Sequence, residues 1–144
     1  MKNFLGIGTW NLKGLDCENS VLKALKSGYK VIDTASIYNN EIDVGRAIRK
    51  SSIKRSEIII ISKINTFDYS IEDSINKSLE DLNTPYIDIM LIHWPIFKTN
   101  LENYIDRIID FKKNNKIKYI GASNFNSYLI KKFRNYCKTE DLFN

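Results

Sequence analysis

The chain alternates short apolar runs with amphipathic segments. The runs "FLGIG" (4–8), "VI" (31–32), "IIIIS" (58–62), "IDIMLI" (87–92) and "YIGA" (119–122) contain few polar positions. Runs of this kind are typical of parallel strands that are covered on both faces, because neither face meets water. The pattern therefore predicts five parallel strands.

The segments between these runs carry helical periodicity. In 70–83, apolar residues recur at helical spacing, and Ser70 and Asp73 are placed as an N-terminal capping pair. Thr99 and Glu102 have the same arrangement at the start of a helix predicted over 99–115, and weaker patterns predict helices over 19–28, 41–50 and 127–137. No Pro- or Ser-rich linker divides the chain, so residues 1–144 are predicted to form a single α/β domain of about five βα units.

A polar residue stands at the carboxyl end of four predicted strands. Asp33, Lys63, His93 and Ser123 follow one another at intervals of 30 residues, which is roughly the length of one βα unit. Because parallel βα units present the carboxyl ends of their strands on one side, these side chains are predicted to converge where α/β enzymes place their chemistry. Each residue alone has a simpler explanation, as a cap, a solvated strand end or a core histidine. Those explanations do not predict the shared spacing.

Composition narrows the class of protein. With 144 residues, of which 43% are hydrophobic, the chain suits one soluble domain of ordinary size. The net charge of +5 comes from lysines scattered through helix-like segments, which indicates a solvated surface rather than a nucleic-acid site. No apolar run is long enough to span a membrane and no signal-peptide pattern opens the chain, so we expect a cytoplasmic protein. Cys17 and Cys137 lack CxxC spacing and are predicted to be reduced.

Familiar nucleotide and metal motifs are missing from the sequence. The segment "GIGTWN" (6–11) begins like a dinucleotide-binding fingerprint, but Asn11 occupies the position of the third glycine. There is no GxxxxGK[ST] loop for phosphate, and a single histidine argues against a multi-histidine zinc site, so no metal is predicted. The sequence therefore does not support a Rossmann dinucleotide site, a P-loop or a multi-histidine zinc site.

Five segments together resemble one known family. "GIGTW" (6–10), "GYKVIDTASIYNNEIDVGRAI" (28–48), "ISKI" (61–64), "IDIMLIHWP" (87–95) and "IKYIGASNF" (117–125) are similar to motifs of the aldo-keto reductases, in order and at the usual intervals. The resemblance covers essentially the whole chain. It implies a (β/α)8 TIM barrel that binds an extended nicotinamide cofactor, usually NADPH, with NADH as the alternative.

The resemblance implies a catalytic tetrad. Tyr38 would be the proton donor, and Asp33, Lys63 and His93 would complete the set. Hydride transfer to a carbonyl carbon leaves charge on the oxygen, which needs a proton, and a cation near a tyrosine makes it a better donor. Lys63 would supply that cation, Asp33 would hold Lys63, and His93 would orient the carbonyl oxygen. Glu41 is interpreted as a cap or surface residue without a catalytic role.

The resemblance also implies where the cofactor and substrate bind. Ser123 and Asn124 would hold the nicotinamide carboxamide, and Thr9 and Asp33 would lie near the nicotinamide riboside. The substrate pocket would be walled by two tryptophans, Trp10 and Trp94.

The chain is shorter than a complete barrel. Such a barrel takes about 250 residues, whereas the 144 residues here end after the fifth predicted helix, so we expect an unclosed barrel piece lacking the last three strands. It would be part of an NADPH-dependent reductase of aldehydes or ketones; alternatively, it would be a non-catalytic remnant or an interaction module. Because an open sheet exposes edges and apolar surface, self-association or a complementing C-terminal fragment is expected beside a small carbonyl substrate. Nucleic acid and membrane are not expected partners.

Overall fold

The computed structural model describes residues 5–65, 70–97, 99–137 and 142. In this part of the chain, strands and helices alternate in the order β1 (Gly6–Gly8), α1 (Gly14–Lys26), β2 (Val31–Asp33), α2 (Glu41–Lys50), β3 (Ile59–Ile64), α3 (Ile71–Leu82), β4 (Ile87–Ile92), α4 (Leu101–Lys113), β5 (Ile117–Ala122) and α5 (Ser127–Tyr136). Two short 3-10 turns, Ser36–Tyr38 and Arg55–Glu57, follow β2 and precede β3. No helix among the described residues has the length and apolar character needed to cross a bilayer.

The strands form one parallel sheet in the order β1-β2-β3-β4-β5. The registers place Gly8 opposite Asp33 and Lys63 opposite Leu91, so the carboxyl ends of the strands share one edge. Within the described residues β1 does not pair with β5, and the sheet is therefore open. The predicted α/β fold with parallel strands and an unclosed barrel is confirmed. Leu142 adds an isolated parallel bridge to Ile120 of β5.

The two faces of the sheet have different surroundings. Residues of the helix-covered face are no more than 1% exposed and join the hydrophobic core: Ile32, Ile60, Met90 and Ile120. Alternate residues of each strand point to the opposite face. There Ile61, Ile89 and Leu91 line a cavity of about 460 Å³, whose lining continues at the β5 edge with Ile120 of the other face and with residues of α5. This apolar inner face is the one that a closed barrel would enclose.

Capping differs from the prediction at one helix. Ser70 Oγ accepts the Asp73 N–H, which confirms the cap predicted for α3. At α4, however, the cap is Asn100, whose Oδ1 accepts the Asn103 N–H at 2.8 Å, while Thr99 donates to the Asn100 carbonyl. The predicted Thr99 cap is wrong by one residue. Both residue types cap helices well, and the burial of Leu101 as the first helical residue selects the later start.

Helix α1 starts earlier than predicted. It begins at Gly14 rather than at residue 19 because Asp43 of α2 accepts the Gly14 N–H at 2.8 Å. This contact satisfies a first-turn donor from a distant part of the chain, which local sequence does not reveal. The extra turn also buries Cys17, and neither Cys17 nor Cys137 forms a disulfide bond, which agrees with the prediction that both are reduced.

A charged cluster joins the strands at their amino ends. Asp88 of β4 accepts from Arg55 at 2.7 Å, from Lys118 at 2.8 Å and from the Ile60 N–H at 3.0 Å. Both cations also lie over the Tyr86 ring, with Arg55 4.2 Å and Lys118 4.1 Å from its centroid. These contacts connect β3, β4 and β5, and they lie at the opposite end of the sheet from Asp33 and His93.

Candidate active site

Lys63 and Asp33 form a close ion pair at the carboxyl edge of the sheet. Asp33 is the last residue of β2, and Lys63 lies near the end of the neighbouring strand β3. Lys63 Nζ donates to Asp33 Oδ1 at 2.6 Å and to the Thr34 carbonyl at 2.8 Å. Only 6% of Lys63 is exposed, so its ammonium is held by these oxygens rather than by water.

Tyr38 reaches the same ammonium from the loop after β2. Its hydroxyl lies 3.5 Å from Lys63 Nζ, at the outer limit of a hydrogen bond. The loop is fastened to β3, because Ser36 Oγ donates to the Lys63 carbonyl at 3.1 Å. It then turns through Asn39, whose positive φ of 50° is one that asparagine tolerates better than most residues. The 3-10 turn Ser36–Tyr38, which precedes Asn39, places the phenol near Lys63 at the end of β3.

His93 follows β4 and packs beside Tyr38. The two rings meet edge to face with centroids 5.8 Å apart, and Trp94 stacks on His93 at 6.0 Å. Burial, reinforced by the Lys63 charge and opposed by Asp33, lowers the pKa of His93 below its usual value, so the imidazole is neutral at neutral pH. Its Nδ1 is buried and has no hydrogen-bond partner among the described residues.

A cavity of about 610 Å³ opens above these residues. Its lining includes Tyr38 and His93 together with both residues predicted to wall a pocket, Trp10 and Trp94. Three further lining residues were not predicted from sequence: Asn11, Lys13 and Ile37. Trp10 is 73% exposed, so one wall of the cavity stands open to solvent.

The remaining predicted residues lie around the same edge. Asn124, just after β5, donates its side-chain amide to the His93 carbonyl at 2.8 Å and to Ser123 Oγ at 3.1 Å. Thr9 follows β1 and is completely buried, and its hydroxyl donates to the Asp33 carbonyl at 3.2 Å. The structure therefore brings the residues predicted from the strand ends into one continuous set of contacts.

A protein-family comparison decides where this arrangement belongs. The model of the "Aldo/keto reductase family" matches residues 4–141, which is nearly the whole chain. The chain belongs to the aldo/keto reductase family. The resemblance predicted from five sequence segments is thereby confirmed.

Individual relatives of the family extend the comparison. An aldo-keto reductase of Mycolicibacterium vanbaalenii is 40% identical over 85% of this chain and 46% of its own length. The 2,5-diketo-D-gluconic acid reductase B of a Corynebacterium species and the methylglyoxal reductase DkgB of Escherichia coli O157:H7 are each 39% identical over 88% of this chain. The chain spans about half of the length of each of these relatives.

Crystal structures of family members share the fold. The aldo/keto reductase of Brucella melitensis superposes with a TM-score of 0.87 at 34% identity, covering 96% of this chain and 56% of that one. The aldose reductase of Giardia lamblia gives a TM-score of 0.90 at 29% identity, with coverage of 98% and 56%. The open sheet therefore corresponds to about half of an aldo/keto reductase barrel.

Glu41 corrects one sequence interpretation. It is 2% exposed, not a surface residue, and although it is the first residue of α2 the cap position belongs to Asn40. Its carboxyl accepts from Ser62 Oγ at 2.6 Å and from Ser78 Oγ at 2.9 Å, and burial raises its pKa despite these two bonds. The only sequence signal for its burial was the presence of two serines that could pair with it, one in β3 and one in α3. Both lie far from Glu41 in the sequence.

Asn40 is a second buried residue that sequence reasoning missed. It is 1% exposed, and its side-chain nitrogen donates to the Thr9 carbonyl at 2.8 Å and to the Leu12 carbonyl at 2.9 Å. Its oxygen accepts from Thr34 at 3.1 Å. Asn40 thus fastens the loop that carries Trp10 to the loop that carries Tyr38.

Proposed function

We propose that the chain carries the proton-transfer site of a reductase that converts aldehydes or ketones to alcohols with NADPH, or alternatively NADH. The observation that carries this proposal is the contact of Lys63 with both Asp33 and Tyr38, next to a neutral His93 and an open cavity. A reduced nicotinamide supplies a hydride to the carbonyl carbon when it is bound. The chain's own residues then have to supply one proton to the carbonyl oxygen.

Tyr38 is the residue that donates this proton. As negative charge develops on the substrate oxygen, the proton moves from the Tyr38 hydroxyl to that oxygen and leaves a phenolate. Lys63, 3.5 Å away, stabilises the phenolate because opposite charges at this distance in a partly buried site attract strongly. Asp33 and the Thr34 carbonyl hold the ammonium in place, so it need not reorganise during the reaction.

His93 orients the carbonyl rather than protonating it. A neutral imidazole carries one N–H that can donate to a carbonyl oxygen. Because the pKa of His93 is lowered, an imidazolium does not compete with Tyr38 as the acid at neutral pH. Its packing against Tyr38 and Trp94 fixes the plane of the ring.

The residues at the ends of β1, β2 and β5 fit a nicotinamide cofactor. Ser123 offers a hydroxyl and Asn124 an amide, the groups that pair with a carboxamide. Asn124 is held by the His93 carbonyl in a left-handed conformation with φ of 60°, so its position is set by the same residue that orients the substrate. Thr9 and Asp33 are proposed to lie near the riboside.

The relatives' names support a small carbonyl compound as substrate. Two of them are named for methylglyoxal and for a diketogluconic acid. A cavity of about 610 Å³ bounded by Trp10 and Trp94 has room for molecules of this size.

The open inner face favours a partner for the sheet. Ile61, Ile89 and Leu91 face a cavity of about 460 Å³ rather than other strands. We propose that a complementing C-terminal segment, or a second copy of the chain, covers this face, and that turnover is weak without it. A non-catalytic interaction module would use the same face. Measurement of carbonyl reduction therefore distinguishes the reductase from the interaction module.

The test is an assay of aldehyde reduction. The reaction is monitored through the decrease in NADPH absorbance. The chain is assayed alone and with a polypeptide that carries the remaining barrel strands of a relative. We expect Tyr38→Phe to lower kcat by about 100-fold or more, the usual contribution of a general acid, with cofactor affinity unchanged. Tyr128→Phe is the matched control, because Tyr128 is 70% exposed on α5. Turnover that survives Tyr38→Phe rejects the assignment of the acid, and no turnover with any complement favours the interaction module.

A further inference from the structure

One cation lines the cavity above Tyr38. Among its described lining residues, Lys13 is the only one that is charged at neutral pH, since no Asp or Glu contributes and the pKa of His93 is lowered. Lys13 Nζ donates to the Tyr38 carbonyl, so the ammonium is tethered at the rim. Its charge is thereby held close to the residue that we propose as the acid.

The other charges around the cavity are already matched. Lys63 is paired with Asp33 at 2.6 Å. Asp43 lies beside Lys13 in the fold, but its carboxylate accepts from the Gly14 N–H and from Arg46. Lys13 itself contacts a carbonyl oxygen, which carries no full charge. The cavity therefore presents one positive charge that a ligand can neutralise.

We propose that Lys13 forms an anion subsite, and that the chain prefers carbonyl compounds that also carry a carboxylate a few bonds from the carbonyl. The ammonium contacts the backbone carbonyl of Tyr38, and Lys13 and Tyr38 both line the same cavity, so a ligand in the cavity meets both side chains. This inference rests on the proposed function, because it assigns the substrate class of the same cavity. It adds a specificity-determining residue that does not take part in proton transfer.

A purely structural role for Lys13 makes a different prediction. If the lysine only steadied the Tyr38 loop, its loss would weaken every ligand of the cavity equally. If it binds an anion, its loss weakens a keto acid and spares the uncharged ester of the same acid. The comparison of acid with ester therefore separates the two roles.

The chain has a built-in reporter for this comparison. Its two tryptophans, Trp10 and Trp94, both line the cavity, so intrinsic fluorescence follows occupancy without cofactor or turnover. Levulinate and methyl levulinate are the probes, since both are weakly absorbing small ketones that differ by one charge. The 144-residue chain is titrated with each at low and high salt.

We expect Lys13→Gln to weaken levulinate binding about three-fold, the usual scale for an exposed ion pair, and to leave the ester unchanged. High salt should abolish the preference of the unmodified chain for the acid. Lys13→Arg should retain that preference, because the charge is kept. Lys54→Gln is the matched control: it removes the same charge from an exposed lysine just before β3, at the other end of the sheet.

Several outcomes overturn the proposal. Equal binding of acid and ester to the unmodified chain does so, as does absence of binding by both, and an equal loss of both in Lys13→Gln leaves only the structural role. These results are independent of the reduction assay. Acid-selective binding without reduction in the presence of the complementing polypeptide would reject the proposed function and keep the subsite, whereas reduction without acid preference would do the reverse.

Discussion

Gly45 is a position where a single methyl group should be costly, because the atoms that it would meet belong to the backbone. It lies in α2 where that helix crosses the end of α3, and a Cβ added there would stand 2.5 Å from the Leu82 carbonyl oxygen and 2.8 Å from the Leu82 carbonyl carbon. An ordinary contact begins at 3.4 Å, so in Gly45→Ala the oxygen must retreat by about 0.9 Å. These are backbone atoms and cannot rotate away as a side chain would.

Two effects of Gly45→Ala oppose each other. Alanine in place of glycine in a helix is worth about 1 kcal/mol of stability, whereas overpacking typically costs about 1–3 kcal/mol. Separation of α2 from α3 would also stretch the 2.9 Å bond between Glu41 and Ser78, which crosses the same interface. We therefore expect the overpacking to win, with a net loss of about 1 kcal/mol in the free energy of unfolding.

Urea denaturation followed by circular dichroism measures this loss. Gly8→Ala is the matched control, because a Cβ at Gly8 meets nothing within 4 Å. That variant should be neutral or slightly stabilising, since alanine restricts the unfolded chain. If Gly45→Ala is as stable as the unmodified chain, the close approach of α2 to α3 is not a constraint and the reasoning fails.

Two further substitutions test the buried polar residues behind the site. Burial raises the pKa of Glu41, so the protonated carboxyl stabilises the fold fully at low pH, and this contribution is lost as the pH rises through the raised pKa. Glutamine mimics the protonated carboxyl and does not ionise. Glu41→Gln should therefore become more stable relative to the unmodified chain as the pH rises. Urea titrations at several pH values check this, and parallel pH curves for the two proteins would contradict it. Asn40→Ala should cost about 1–3 kcal/mol in the same assay, because the Leu12 carbonyl and the Thr34 hydroxyl lose the partner that Asn40 supplies and the Thr9 carbonyl keeps only the Leu12 N–H. Asn76→Ala, at an exposed position of α3, should cost nothing, and an equal loss in both asparagine variants would reject the argument.

Strand direction and spacing are what made the site predictable. Asp33 is the last residue of β2 and Lys63 the next to last of the neighbouring parallel strand β3, and a period of 30 residues places them at the same edge of the sheet. The observed contact between their side chains follows from that register. Apolar runs therefore carry information about distant contacts as long as every connection has the same hand.

Contacts between segments with no common pattern were not predictable. The start of α1 depends on Asp43, and the burial of Glu41 depends on Ser62 and Ser78. In each case a polar residue looks exposed in local sequence and is paired only after the helices pack. Local sequence propensities do not predict such partners, because tertiary packing determines which residues meet.

The charged cluster around Asp88 has a consequence for how this chain can change over evolutionary time. Strand β4 has six residues, so about 20 Å separates that cluster from the loop after His93. Effects of substitutions more than roughly 7–10 Å apart usually add without interacting. New loop sequences at the carboxyl edge can therefore be tried without loosening the contacts of Arg55 and Lys118. The loops that can vary and the contacts that hold the strands together therefore lie at opposite ends of the same sheet.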